Sequence, residues 1–254
     1  MKRRGSRWEQ IRIGVLQRDP LARVKVGALT PTDVAAWRDR RLQLVSNGSV
    51  RREMALLSAI FKIAAKEWGW LERNPITDIR WPPDNESRER RVTGDELAAL
   101  KVVSGDTLET LTGRVVYAFE FAIETAMRGG EILAMRRANV HLADRWVHIP
   151  TSKNGDKRDV PLSRRAADIL SDVLGLGQEP VWGMVSWQRD ALFRKIVGRA
   201  GINDLHFHDS RHEAITRLSK KMDVLDLART VGTRALKTLM TYYDRSAADL
   251  AKQL

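Results

Sequence analysis

The chain of 254 residues contains no cysteine, which excludes disulfides, thiolate metal sites and cysteine nucleophiles. No stretch is apolar for long enough to read as a membrane-spanning helix. The opening MKRRGSRW is basic but is not followed by an apolar core, so it does not read as a secretory signal, and a cytoplasmic location is expected. Histidine is sparse: His206, His208 and His212 lie close together, but no carboxylate or cysteine pattern completes a ligand set, so no metal is expected. Tyrosine is sparser still, and two of the three stand side by side at 242 and 243. Acidic residues are also short, 32 against 44 Lys and Arg, which leaves a formal charge of +12 spread along the chain. A basic surface on a folded body favours a polyanionic partner, nucleic acid first; a basic protein without such a partner is the plainer alternative.

The length suits two domains, and the composition is otherwise that of an ordinary globular protein. Apolar spacing predicts helices over 7–19, from Thr30-Pro31 to about residue 45, and from a cap at Ser49 to Gly69, with Asn47-Gly48 as the break between the last two. Asn74-Pro75 turns the chain, and the Pro-Pro and charged residues of 81–92 read as a linker or a basic track for phosphates. Thr93 and Glu96 form a capping-box pattern that opens a second domain. A strongly apolar helix over 108–126 should be central to it. Strands at 146–150 and 158–162 should pair through a turn at Asn154-Gly155, and helices resume from Ser163 and from Trp187. The expected fold is mostly α, with a small antiparallel β-hairpin or sheet in the C-terminal domain.

The stretch from His206 to Tyr243 draws attention as a possible reaction centre. His208 and Arg211 fall one turn apart on a helix, so they share a face, and His212 should point away from that pair. Arg211 offers a planar fork for phosphate oxygens and His208 a proton acceptor near neutrality; a capped helix start explains the same residues. Arg128 stands where the buried helix breaks at Gly129-Gly130, and Glu131 is placed to orient it, unless the two are only a structural pair. Lys153 at the hairpin mouth has the reach to protonate a departing oxygen, with Lys157 and Arg158 as competitors and a solvated hairpin lysine as the plain reading. A phenol with its usual pKa of ~10 is a poor nucleophile unless cations and a base surround it. Tyr242 therefore has chemical meaning only jointly with Arg128, Lys153, His208 and Arg211; otherwise it packs a core.

Those five residues, in that order, resemble the tyrosine recombinases of the phage integrase family. Met127-Arg128-Gly129-Gly130-Glu131 resembles the first-arginine box, and Thr151 to Leu162 the lysine hairpin. His208-Asp209-Ser210-Arg211-His212 resembles the His-x-x-Arg box, and the run from Gly232 to Tyr242 the nucleophile segment. The resemblance covers nearly the whole chain. It implies a DNA-breaking and rejoining enzyme of two domains: a helical core-binding domain at 1–83, a linker at 84–92 and an α+β catalytic domain at 93–254. Tyr242 would attack the scissile phosphate and leave a 3′-phosphotyrosyl link, with Arg128 and Arg211 stabilising charge, Lys153 protonating the leaving oxygen and His208 moving protons. The choice of Tyr242 over Tyr243 rests on its distance from Gly232. No cofactor is implied. The partners implied are double-stranded DNA carrying specific sites, three further copies in a homo-tetramer (monomeric when free) and accessory DNA-bending proteins, with residues 247–254 docking on a neighbour. No arm-binding domain is seen, so a simpler site requirement is expected. The residue after Gly232, usually His or Trp in the family, is here Thr233, a weaker donor beside Arg234. That departure keeps a non-catalytic DNA-binding protein of the same fold in view, and the shared chemistry keeps a type IB topoisomerase in view.

Overall fold

The computed structural model describes residues 6–85, 88–151, 157–233 and 235–243. The chain divides into two compact units, Met1–Arg88 and Glu89–Leu254, so the change of unit falls inside the charged stretch after Trp81-Pro82-Pro83. Among the described residues no helix is long and apolar enough to cross a membrane.

The first unit is helical: α1 (Ser6–Gln17), α2 (Pro31–Leu42) and α3 (Asn47–Lys66), with single 3-10 turns at Pro20–Arg23, Val26–Ala28 and Pro75–Asp78. Thr30 starts α2 as the sequence suggests: its hydroxyl accepts the Asp33 N–H at 3.3 Å, and the Asp33 carboxylate accepts the Thr30 N–H at 2.9 Å. Val50, Met54, Leu57, Phe61 and Ala64 repeat at helical spacing and are buried on α3, where Val50, Met54, Leu57 and Phe61 close the core with Val34 and Trp37 of α2. Beside them Glu53 is buried, and Arg41 neutralises it through two hydrogen bonds of 2.9 Å. Two expectations fail here. Helix α2 ends at Leu42 rather than near 45, and α3 begins at Asn47 behind Ser46, so Asn47-Gly48 forms a first turn instead of a break and Ser49 is not the cap. First-turn N–H groups have no intrahelical partner in any case, so weak helix formers cost little there.

The second unit opens with α4 (Gly94–Ser104), capped by the Thr93–Glu96 box, and then α5 (Leu111–Thr125). Val115, Val116, Ala118, Phe119, Phe121, Ala122 and Ile123 of α5 are all buried, which makes it the axle of the unit. Ala126 leaves the helix in the left-handed region, φ 54°, a conformation costing about 1 kcal/mol outside glycine. The short α6 (Gly129–Leu133) follows, then a three-stranded antiparallel sheet of β1 (Val140–His141), β2 (Trp146–Ile149) and β3 (Arg158–Pro161). Strands β2 and β3 pair as expected, with Val147 opposite Val160 and Ile149 opposite Arg158. The two-residue β1 was not foreseen; it pairs His141 with Trp146, whose rings stack at 3.7 Å. The turn expected at Asn154-Gly155 lies outside the described residues, as do Lys153, Arg234 and the tail 244–254. Helices α7 (Arg164–Gly175) and α8 (Ser186–Arg199) cover the α5 core. Then α9 (Asp209–Leu218), α10 (Val224–Val231) and α11 (Leu236–Met240) gather around a smaller core of Ala214, Ile215, Leu227, Val231 and Leu239, with Ala126 against it.

Candidate active site

Arg211 lies in the first turn of α9 and is buried, where an arginine must spend its donors on protein oxygens. One Nη donates to the carbonyl of Ala126, which the left-handed turn delivers, and the other to the carbonyl of Val231 at 2.7 Å. Burial, reinforced by the charge of Arg128, lowers the Arg211 pKa to about 10, so it remains a cation at neutral pH. Arg128 precedes α6, and the Glu131 carboxylate takes both its backbone N–H (2.9 Å) and its Nη1 (3.0 Å). Its Nη2 donates to the carbonyl of Gly232 at 3.2 Å, and the side chain keeps a quarter of its surface open. The Arg128–Glu131 pair expected from the sequence is thus present. Burial alone would raise the Glu131 carboxyl, but the hydrogen bonds from Arg158 and from Arg128 hold it below the usual range.

His208 immediately precedes α9. It shares a cavity of about 470 Å³ with Arg128, Gly129, Arg189 and Phe207. Burial first, and then the positive charge of Arg211, push its pKa below the ordinary value, with Asp209 pulling the other way. A histidine so placed is neutral near pH 7 and able to accept a proton. Arg189 was not singled out from sequence: its guanidinium lies over the Phe207 ring at 4.7 Å and is held by Asp190 at 2.7 Å, adding a further cation to the same cavity.

Tyr242 follows α11 and packs half-buried against the α9–α11 core. Burial raises its pKa, and the nearby Arg211 charge offsets only part of that. Among the described residues its hydroxyl has no hydrogen-bond partner, whereas the Tyr243 hydroxyl donates to the Met222 carbonyl at 2.8 Å. The two neighbouring phenols are therefore chemically distinct, one uncommitted and one tied down. His212, expected to point away from the reactive pair, presents its ring to that of Tyr242 at 5.2 Å, and its Nδ1 is buried with no hydrogen-bond partner among the described residues.

Thr233 follows Gly232, which sits in the left-handed region (φ 65°) and closes α10. The Thr233 N–H caps the Ala228 carbonyl at 3.1 Å, and its hydroxyl accepts the Ala235 N–H at 3.3 Å, so the side chain serves a local turn. Thr233 and Gly232 line a surface groove with Lys157, Arg158 and Arg229. Of the two competitors for the lysine role, Lys157 is exposed in that groove, while Arg158 turns inward onto Glu131. The structure therefore ties Arg128 and Arg211 to one helix end, opens Arg128 and His208 into one cavity, packs Tyr242 against the neighbouring α9–α11 core and sets Thr233 beside Gly232, while Lys153 lies outside the described residues. No group of residues among those described has the make-up of a metal site.

Residues 90–249 match the phage integrase family. The chain belongs to that family. A putative integrase/recombinase of Haemophilus influenzae is 37% identical over 99% of this chain and 84% of its own length. A shufflon-specific DNA recombinase of Escherichia coli is 36% identical over 99% of this chain and 67% of its own. Among solved structures, the Tn1549 transposon integrase in complex with circular intermediate DNA superposes with a TM-score of 0.80 at 16% identity, over 99% of this chain and 93% of that one. At that identity the likeness is one of fold. The fold of this phage integrase relative explains why the boxes lie far apart in sequence: α5, α9 and α10 bring their ends together, and each end contributes one element of the cluster.

Proposed function

We propose that this member of the phage integrase family carries out site-specific recombination of duplex DNA through a 3′-phosphotyrosyl intermediate. The observation that carries the reading is a half-buried Tyr242, its hydroxyl without a hydrogen bond among the described residues and within electrostatic reach of Arg211, while Arg211 and Arg128 are tied to successive carbonyls of one helix end. In the reaction the Tyr242 oxygen bonds to phosphorus and the bond from phosphorus to the 5′ oxygen breaks. Arg128 and Arg211 hold the charge that builds on the non-bridging oxygens, as preorganised donors do in such sites. Lys153 gives a proton to the departing 5′ oxygen, and His208, kept neutral by its surroundings, assists the transfer. Thr233 stands where the family usually carries a stronger donor and supplies one hydrogen bond. The new phosphodiester conserves the energy of the old one, so no cofactor is required.

The unit Met1–Arg88 is the core-binding domain and Glu89–Leu254 the catalytic domain on this reading. The working assembly is a homo-tetramer on two specific sites, monomeric when free, aided by DNA-bending proteins and acting on DNA in the bacterial cytoplasm. Its family and its 36% identity to a shufflon-specific recombinase favour exchange between sites over relaxation without site preference. The test is a nicked suicide duplex carrying the recombination site, on which the wild-type chain should form a detergent-resistant adduct. Tyr242→Phe should abolish that adduct while DNA affinity stays within about threefold, and Tyr243→Phe should retain it. An undiminished adduct from Tyr242→Phe would remove Tyr242 as the nucleophile. Plasmid relaxation without two-site exchange would transfer the chain to topoisomerase chemistry, and binding with no adduct to a non-catalytic role.

A further inference from the structure

Helix α10 ends on three successive carbonyls, and each is taken by a different guanidinium. Arg158 Nε donates to Thr230 at 3.0 Å, Arg211 Nη2 to Val231 at 2.7 Å and Arg128 Nη2 to Gly232 at 3.2 Å. The last carbonyls of a helix lack intrahelical donors and carry the negative end of its dipole, so cations are favoured there. The three arginines arrive from β3, from α9 and from the turn before α6. They would repel one another but for that helix end and one carboxylate. Glu131 supplies the carboxylate: Arg158 grips it with both Nη atoms (3.0 and 2.6 Å), and Arg128 Nη1 meets the same Oε1 at 3.0 Å.

The sharing is unequal. Arg158 has all three of its nitrogens on protein oxygens, and its side chain is 6% exposed, so its hydrogen bonds hold it within the protein. Arg128 commits only its two Nη atoms, keeps 24% of its side chain exposed and faces the cavity with His208. Gly232 completes the fit. A Cβ at that left-handed position would stand 2.9 Å from Arg158 Cδ and 3.0 Å from its Nε, so the arginine lies directly on the glycine backbone.

We infer that Arg158 is a positioning residue for DNA cleavage: buried between Glu131 and the end of α10, it fixes the carboxylate that aims Arg128 and holds the strand β3 to the helix that leads to Tyr242. The inference rests on the recombinase reading for its function, though its structural part is independent of it. Without Arg158, Glu131 is left to Arg128 alone, which is drawn inward, and the Thr230 carbonyl loses its donor.

The test uses the full-length chain with Arg158→Met, which keeps much of the volume and removes the charge, and Arg158→Lys, which keeps the charge and loses the fork. In DNA-free protein, hydrogen exchange in the peptide over residues 226–233 should quicken about tenfold or more in Arg158→Met, while peptides of α5 stay unchanged. On the suicide duplex, cleavage of bound DNA should slow by about ten- to a hundredfold with affinity within about threefold, as for a misaimed catalytic group, and Arg158→Lys should fall between. Combining Arg158→Met with Glu131→Gln should be no slower than the slower single variant, since both act through one carboxylate. Unchanged exchange at 226–233, loss of affinity in step with cleavage, or multiplicative losses in the double variant would each overturn the inference. The exchange result alone, with a wild-type chain that cuts no duplex, would instead overturn the recombinase reading and keep the Arg158 clamp.

Discussion

His208 is a residue whose protonation is set by its surroundings. Burial and the positive charges of Arg211 and Arg128 disfavour its imidazolium, and Asp209 only partly compensates. The folded-state pKa therefore lies below the ordinary value of about 6.5, so the neutral ring persists to a lower pH than in an unconstrained histidine. Cleavage measured at limiting DNA reports the groups of the free enzyme. Its rate should be flat from about pH 7 to about 9, below the usual lysine range, and fall on the acid side with a midpoint below about 6.5; a midpoint above about 6.5 would mean that His208 is not the proton acceptor. Tyr242 titrates in the opposite sense. Its pKa is raised by burial, so near neutrality it is a phenol that must lose its proton to a partner during attack. The packing of the His212 ring against it could not be read from the sequence, because the side-chain direction depends on where α11 ends.

At the scale of the element, α9 carries more than the His-x-x-Arg pair. Glu213, one turn beyond Asp209, is buried and accepts the Arg91 guanidinium (2.6 Å), the Val92 N–H (3.2 Å) and Arg217 Nε (2.7 Å). Burial by itself would raise this carboxyl, yet the hydrogen bonds from Arg91 and Arg217 bring it to about 2. The folded pKa is depressed relative to an unfolded value near 4.3, so the stabilisation is present above that value and is lost as pH falls towards 2. It is worth on the order of 3 kcal/mol. Glu213→Gln should therefore lower stability at pH 7 by about 2–3 kcal/mol, with the gap to wild type closing below about pH 4. Urea unfolding across that range checks it; a gap independent of pH would show that the side chain acts only through packing. Through this carboxylate the start of the second unit is fastened to the helix bearing Arg211.

For the molecule as a whole the governing quantity is the charge of +12. A chain that neutralises several DNA phosphates releases their counterions, so affinity should fall steeply with salt, by about 10³ or more between 50 and 200 mM for six or more contacts. A logarithmic plot of affinity against salt concentration measures this, and a flat response would count against a DNA partner. The described cations are not uniformly available, because Arg41 and Arg158 are buried against carboxylates, and Arg91 and Arg165, though more exposed, are paired with Glu213 and Glu120. The salt slope should accordingly report fewer contacts than the formal charge suggests.

Sequence was enough for two local causes. Thr30 with Asp33 and Thr93 with Glu96 act as caps as read, because a side chain three residues away satisfies the same N–H in any protein, and the structure adds caps at Asn74 and Ser163. The apolar repeat placed α3 and α5, and alternation with a turn signal placed β2 and β3. The order of the four boxes pointed to the family. Sequence misled where two local signals compete, as at Asn47-Gly48, and it passed over β1, which two residues are too few to announce. What only the tertiary structure decided is which cation does what. Arg128, Arg158 and Arg211 carry the same charge, and their separation into one inward clamp, one buried donor and one outward-facing group is set by the carbonyls of Thr230, Val231 and Gly232. Those acceptors belong to a helix end remote from all three in sequence except Arg211. A helix end has a direction only once the helix is packed, so no reading of spacing alone could assign them.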